Sequence, residues 1–171
     1  MIIRILGGIL ICASCGLLGI YMGHRGVVRA RELMEFKHML TLLKSEIEFA
    51  ARPLPQAFMD LSQKAGENFA KFYRMLSEKL TDKEMDLAAA WDAGLKEIKN
   101  TNMTQEDFDA ISGLGRTLGS IDATAQIKAI DMVTLALDEI LTRLNAANAK
   151  DGKMYRRLGL LGGVLITVIL L

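Results

Sequence analysis

Two uncharged apolar segments, Ile5 to Met22 and Leu158 to Leu171, stand at opposite ends of this 171-residue chain, and they constrain the fold more than any other feature. Segments of that kind separate from polar sequence, so folding as a domain is confined to the stretch between them. As a helix, Ile5 to Met22 extends about 27 Å at 1.5 Å per residue, close to the roughly 30 Å of bilayer hydrocarbon. Leu158 to Leu171 extends about 21 Å. Arg156 and Arg157 can snorkel to the interface while Met154 and Tyr155 enter the boundary region, which lengthens the usable span. A cleaved signal peptide is the competing reading of the first segment, served by the lone Arg4 and the small residues Ala13 and Ser14. Against it, the apolar run continues past those residues and then meets Arg25, Arg29 and Arg31, which retard translocation. The expected organisation is an anchor over 1–23, a helical domain over 24–153 and a second anchor over 154–171.

Charge supplies the orientation. The chain carries a formal +1, yet Glu35 to Ala149 holds 13 Lys+Arg against 18 Asp+Glu, a net charge of −5. That middle has no basic face for nucleic acid. The basic surplus sits at the flanks, in Arg25, Arg29 and Arg31 after the first anchor and Lys150, Lys153, Arg156 and Arg157 before the second. Juxtamembrane Lys/Arg excess marks the cytoplasmic side of a bilayer. A multi-pass protein of the cell membrane is therefore predicted, with the domain in the cytoplasm and both termini outside. Within the anchors, Gly8, Cys12 and Gly16 recur every four residues, and Gly159 and Gly163 form a G-x-x-x-G; small residues at this spacing let transmembrane helices approach closely. Cys12 and Cys15 make a formal C-x-x-C, but zinc requires two further ligands and lipid burial raises a thiol pKa, so they read as small buried residues.

Between the anchors Ala, Leu, Lys, Glu and Met dominate, and proline occurs only at Pro53 and Pro55. This is helix composition. Leu33, Phe36, Leu40, Leu43, Ile47 and Ala50 give Met34 to Ala51 one apolar face, and Arg52-Pro53-Leu54-Pro55 ends it. A second helix runs from Pro55 to Gly66 through Phe58 and Leu61. Asn68 is expected to cap a third, with the stripe Phe69, Phe72, Tyr73, Leu76 and Leu80, and a fourth begins after Asp82 with Met85, Ala88, Trp91, Leu95 and Ile98. Thr104 to Asp107 reads as a capping box with Asp in place of Glu, opening a fifth helix through Phe108, Ile111 and Leu114 that Gly119 and Ser120 break. Asp122 caps a long sixth helix through Ile127, Ile130, Val133, Leu137, Leu141 and Leu144, interrupted only by Gly152. The fold class is all-α: an antiparallel bundle of about six helices between two terminal transmembrane helices.

Catalytic groups do not converge. His24 and His38 belong to no metal-binding arrangement, and Gly113 to Gly119 lacks the G-K-[ST] ending and the preceding strand of a phosphate loop. Gly113 and Gly115 read instead as close-packing or helix-bending positions, and Gly119 as a C-cap. Glu46, beside the apolar stripe, requires a cationic partner. The chain is read as a non-enzyme with no cofactor and no metal, and its output is contact with other proteins. Three residues combine charge with a helix end or loop: Arg52 in the proline corner, Arg116 beside the glycines, and Asp122, which serves equally well as a helix cap. The competing functional readings are a membrane-anchored sensory or ligand-binding bundle, for which no output module follows Leu171, and a pore-forming protein, for which the anchors offer no intramembrane charge.

Taken in order, the runs Leu43-Lys44-Ser45-Glu46-Ile47, Arg52-Pro53-Leu54, Ala90-Trp91-Asp92, Leu114-Gly115-Arg116-Thr117-Leu118-Gly119-Ser120-Ile121-Asp122 with Gln126, and Lys153-Met154-Tyr155-Arg156-Arg157-Leu158-Gly159-Leu160-Leu161-Gly162 strongly resemble the stage III sporulation protein AB family of endospore-forming bacteria. The likeness covers essentially the whole chain. It implies a product of the mother-cell operon whose proteins form a channel apparatus between mother cell and forespore, similar to the F-type inner-membrane platform proteins of type II secretion and type IV pilus machines. It further implies, as neighbours, a secretion-type ATPase of the same operon and ring-forming channel proteins, in the mother-cell membrane around the forespore. Self-association into a homo-oligomer is left open by the sequence.

Overall fold

Apolar residues at three- and four-residue spacing build seven α-helices among the described residues, and no strand. The computed structural model describes residues 25–50, 52–82, 85–99, 101–120 and 122–170, with side chains described for all of these except 50 and 150–170. Helix α1 covers 25–45 and closes in a π-helical turn, Glu46–Ala50. It is followed by α2 (Leu54–Lys64), α3 (Glu67–Thr81), α4 (Leu87–Glu97), α5 (Gln105–Ser112), α6 (Leu114–Leu118) and α7 (Ala123–Leu170). Two compact units divide the chain, Arg31–Leu141 and Met1–Ala30 with Thr142–Leu171.

The Arg31–Leu141 unit holds an aromatic core. Phe36 of α1 lies 5.5 Å from Phe69 and 6.4 Å from Trp91, ring centre to ring centre. Trp91 meets Phe72 edge-on at 5.1 Å, and Phe58 stacks on Tyr73 at 6.3 Å. These rings fill the space among α1, α2, α3 and α4, joined by buried Leu33, Leu40, Leu43, Leu61 and Leu76. The pairing of α1 with α7 is antiparallel. Lys37 bonds Asp138 at 2.5 Å and, seven residues on, Lys44 bonds Asp131 at 2.7 Å, so the register is held across two helical turns.

Two carboxylates of α1 tie down distant loops. Glu35 accepts from the backbone N–H of Gly66 at 2.6 Å, at the N-terminus of α3, and Glu32 accepts from Thr101 Oγ1 at 2.9 Å and Asn102 N at 2.8 Å. This accompanies one departure from expectation: α3 starts at Glu67, with Gly66 at the N-cap and its N–H held by a carboxylate from another helix, so Asn68 lies inside the first turn. The fourth helix starts at Leu87, where the Asp86 side chain accepts from Ala89 N at 2.8 Å. Asp82 instead closes α3, its N–H bonding Glu78 O, and Met85 is exposed ahead of α4. Thr104 N donates to Asp107 Oδ2 at 2.7 Å, the capping box with Asp in the place of Glu.

The expected fifth helix is two. Ile111 O, whose partner in an unbroken helix would be Gly115 N, accepts from Trp91 Nε1 at 3.0 Å and from the N–H of Gly113, where the chain turns. The turn lays Gly115 of α6 against Trp91 of α4. A Cβ on Gly115 would lie 2.5 Å from Trp91 Cγ and press on Trp91 Cβ, which is rooted in the backbone and cannot rotate away. Gly113, by contrast, has open space beside it, so of the two glycines only Gly115 is a close-packing position. Gly115→Ala is expected to lower stability by about 1–3 kcal/mol through overpacking, which outweighs the gain of up to about 1 kcal/mol in helix propensity; thermal unfolding followed by circular dichroism reads the difference.

Gly152 does not interrupt α7, which continues to Leu170. The first anchor, 1–23, lies outside the described residues, as do the side chains of the second. Among the described residues no helix is long and apolar enough to cross a membrane.

Candidate functional site

The ion pairs between α1 and α7 fix which loops share an end of the Arg31–Leu141 unit. Beyond the Lys44–Asp131 pair, α1 runs on into the proline corner, and in the opposite chain direction α7 begins at Ala123 after Asp122. Arg52 and Asp122 therefore lie at one end, and Arg116 belongs to the five-residue α6 that precedes Asp122 in the chain. Arg31 and Leu141 lie at the other end.

In the proline corner, Arg52 is half exposed and its guanidinium is engaged twice. Nη1 donates to Asp60 Oδ2 at 2.6 Å, and Nε stands 3.6 Å from Glu46 Oε2. Glu46 Oε2 is buried and accepts no hydrogen bond, so the nearby cation is what offsets its desolvation. This is the cationic partner that Glu46 requires. The π turn that carries Glu46 also carries Phe49, which lies off the apolar stripe of α1 and is 81% exposed. Sequence reading passed over Phe49. Its one signal is register: it falls outside the three-and-four spacing of Phe36, Leu40, Leu43 and Ile47.

At the start of α7, Asp122 Oδ1 accepts from Thr124 N at 2.9 Å, the geometry of an N-cap. Gln126 behind it is buried and donates both amide hydrogens, to Leu118 O at 2.8 Å and Ser120 O at 2.5 Å. The Leu-Gly-x-x-Asp run and Gln126 thus form one device that locks the turn between α6 and α7. Arg116 is exposed, with no ion pair among the described residues. Asp122→Ala is expected to lose about 0.5–2 kcal/mol of stability while Asp122→Asn stays near the parent, because Asn caps equally well; paired melting curves of the two variants decide this.

Arg25 and Arg31 are exposed on α1, and Arg29 is partly buried and engaged. Lys150, Lys153, Arg156 and Arg157 belong to the helical backbone of α7, as do Gly159 and Gly163, but their side chains lie outside the described residues; so do Gly8 and Gly16 altogether. A groove of 350 Å³ runs between α4 and α5, with Leu95 and Phe108 at its apolar side and Asp92, Lys96, Asp109 and Ser112 around it. No group of three His, Cys, Asp or Glu among the described residues could hold a metal ion. Tyr73 is buried with its hydroxyl unpartnered, and burial, reinforced by the charge of Glu35, pushes its phenol far above the usual range.

The family model for stage III sporulation protein AB matches residues 4–171. The chain belongs to the stage III sporulation protein AB family. The stage III sporulation protein AB of Bacillus subtilis (strain 168) is 26% identical over 171 residues, covering 99% of each chain. A solved structure of a stage III sporulation protein AB superposes with a TM-score of 0.65 at 21% identity, over 71% of this chain and 97% of that one, a likeness of fold. A role in sporulation follows from this membership.

Proposed function

We propose that this member of the stage III sporulation protein AB family is a non-enzymatic inner-membrane platform of a secretion-like channel between mother cell and forespore, which recruits or couples to a secretion-type ATPase and meets ring-forming channel proteins. Two terminal segments without a charge, flanked on their inner sides by Lys and Arg, support anchoring in the mother-cell membrane with the bundle in the cytoplasm and both termini outside. The observation that carries the reading is the end of the bundle opposite Arg31 and Leu141, where Phe49 is 81% exposed beside the corner of Arg52, and Arg116 and Asp122 are also exposed. An exposed aromatic next to arginine is the composition of a protein contact. Arg52 retains guanidinium donors beyond the Nη1 bonded to Asp60 and the Nε that faces Glu46.

The test is capture of the operon's ATPase by full-length protein carrying F49A, R52E, R116E or D122N, with melting temperatures as control. Loss of capture at unchanged melting temperature supports the reading. Capture that survives all four changes removes this end as the docking site, and Arg25, Arg29 and Arg31 are next. Orientation has its own readout: cysteines placed in the bundle and after Leu171, with Cys12 and Cys15 replaced, should react with an impermeant thiol reagent only at the terminus. Labelling of the bundle in intact mother cells would overturn the topology.

A further inference from the structure

Helix α7 carries a second exposed surface with a symmetry of its own. Lys128, Met132, Leu135 and Glu139 lie within about 60° of arc at 100° per residue, opposite the buried line of Gln126, Ile130 and Leu137. Met132 is 68% and Leu135 69% exposed, two large apolar side chains one turn apart. The acidic residues that flank this stripe toward α1 are already engaged, Asp131 by Lys44 and Asp138 by Lys37. Lys128 and Glu139 are exposed and have no ion pair among the described residues.

The spacing is self-complementary. Lys128 and Glu139 are centred on the same point of the helix as Met132 and Leu135, between Val133 and Thr134. A two-fold axis through that point lays a second α7 antiparallel on the first. Lys128 then faces the second copy's Glu139, and Met132 faces the second copy's Leu135. This is the condition for an isologous contact, in which residue i meets j and j meets i. A parallel pairing would set lysine against lysine and glutamate against glutamate, which disfavours it.

We propose that this stripe of α7 is a self-association surface, occupied by α7 of a second copy of this chain in antiparallel register. Four side chains per copy bury far less than the roughly 800 Å² per partner of a stable complex. The contact is accordingly weak and depends on concentration and salt. It does not rest on the platform reading.

Full-length protein in detergent micelles, with Cys12 and Cys15 changed to serine and one cysteine introduced by M132C, is treated with a short bifunctional thiol crosslinker. Two such cysteines lie about 4.5 Å apart along the axis in the proposed register. Efficient dimer formation is expected, at least tenfold above a control cysteine introduced by K71C on exposed α3. Adding K128E or E139K alone should reduce the dimer about fivefold, and K128E with E139K should restore it, with melting temperatures unchanged throughout. Equal crosslinking at both cysteine positions, single charge changes without effect, or failure of the double change to restore the dimer would each overturn the proposal, the last leaving the stripe to a different protein.

Discussion

Trp91→Ala is expected to remove about 3–5 kcal/mol of stability and lower the melting temperature by roughly 10–20 °C. Trp91 is buried, touches the rings of Phe36, Phe58 and Phe72, and supplies the indole N–H bonded to Ile111 O. Truncation therefore opens a cavity and also removes the indole's hydrogen bond at the point where α5 turns into α6. Trp91→Phe separates these contributions. It keeps most of the apolar volume and loses the hydrogen bond, for an expected loss of about 1–3 kcal/mol. Circular dichroism measures both. A phenylalanine variant as unstable as the alanine variant would make the hydrogen bond, not packing, the main role of this residue.

Gln126→Glu should destabilise by about 2–4 kcal/mol at neutral pH, with a pH dependence that Gln126→Met lacks. Both amide hydrogens of Gln126 are given to carbonyls, Leu118 O and Ser120 O. An ionised carboxylate would bring a negative acceptor against two acceptors in a buried place. Protonated, the introduced carboxyl could donate to one of them. Its folded-state pKa is thus raised above the unfolded value of about 4.3. The folded state then binds more protons than the unfolded one above that pH, so stability falls as pH rises from about 4.3 through the raised folded value. Melting temperatures of the glutamate and methionine variants should converge toward pH 4–5 and diverge toward pH 8. Parallel curves would mean that the introduced carboxylate reaches solvent and is not desolvated in the fold.

Tyr73→Phe is a smaller change of opposite sign. The phenol is buried without a partner, so removing it should leave stability unchanged or slightly raised; a loss above about 1 kcal/mol in the same melting assay would reveal a partner for the hydroxyl.

What the sequence determined by itself is what repeats locally. The all-helical class, the stripes of Phe36, Leu40 and Leu43 and of Phe69, Phe72, Tyr73 and Leu76, the capping box at Thr104 and Asp107, the cap at Asp122 and the core role of Trp91 all follow from spacings of three and four residues or from short-range donor and acceptor chemistry. The order of short runs was likewise enough to place the chain in its family. Tertiary structure alone decided what depends on residues far apart in the chain. Glu35 caps α3 at Gly66 from 31 residues away, and Glu32 holds Asn102 from 70, so these helix and loop ends could not be read from their own neighbourhoods. Gly115 and Gly113 look alike in sequence, and only the presence of Trp91 against one of them makes glycine necessary there. Gln126 carries no local signal of its role until two carbonyls are brought within reach of its amide. Phe49 falls outside the stripe of α1 in the sequence, and only the fold decides that no other helix among the described residues covers it, leaving it 81% exposed. Periodicity fixes the face a helix buries, because side-chain direction is set by the residue's own turn. It carries no term for which helix covers that face, and that choice falls to contacts whose partners are separated by most of the chain.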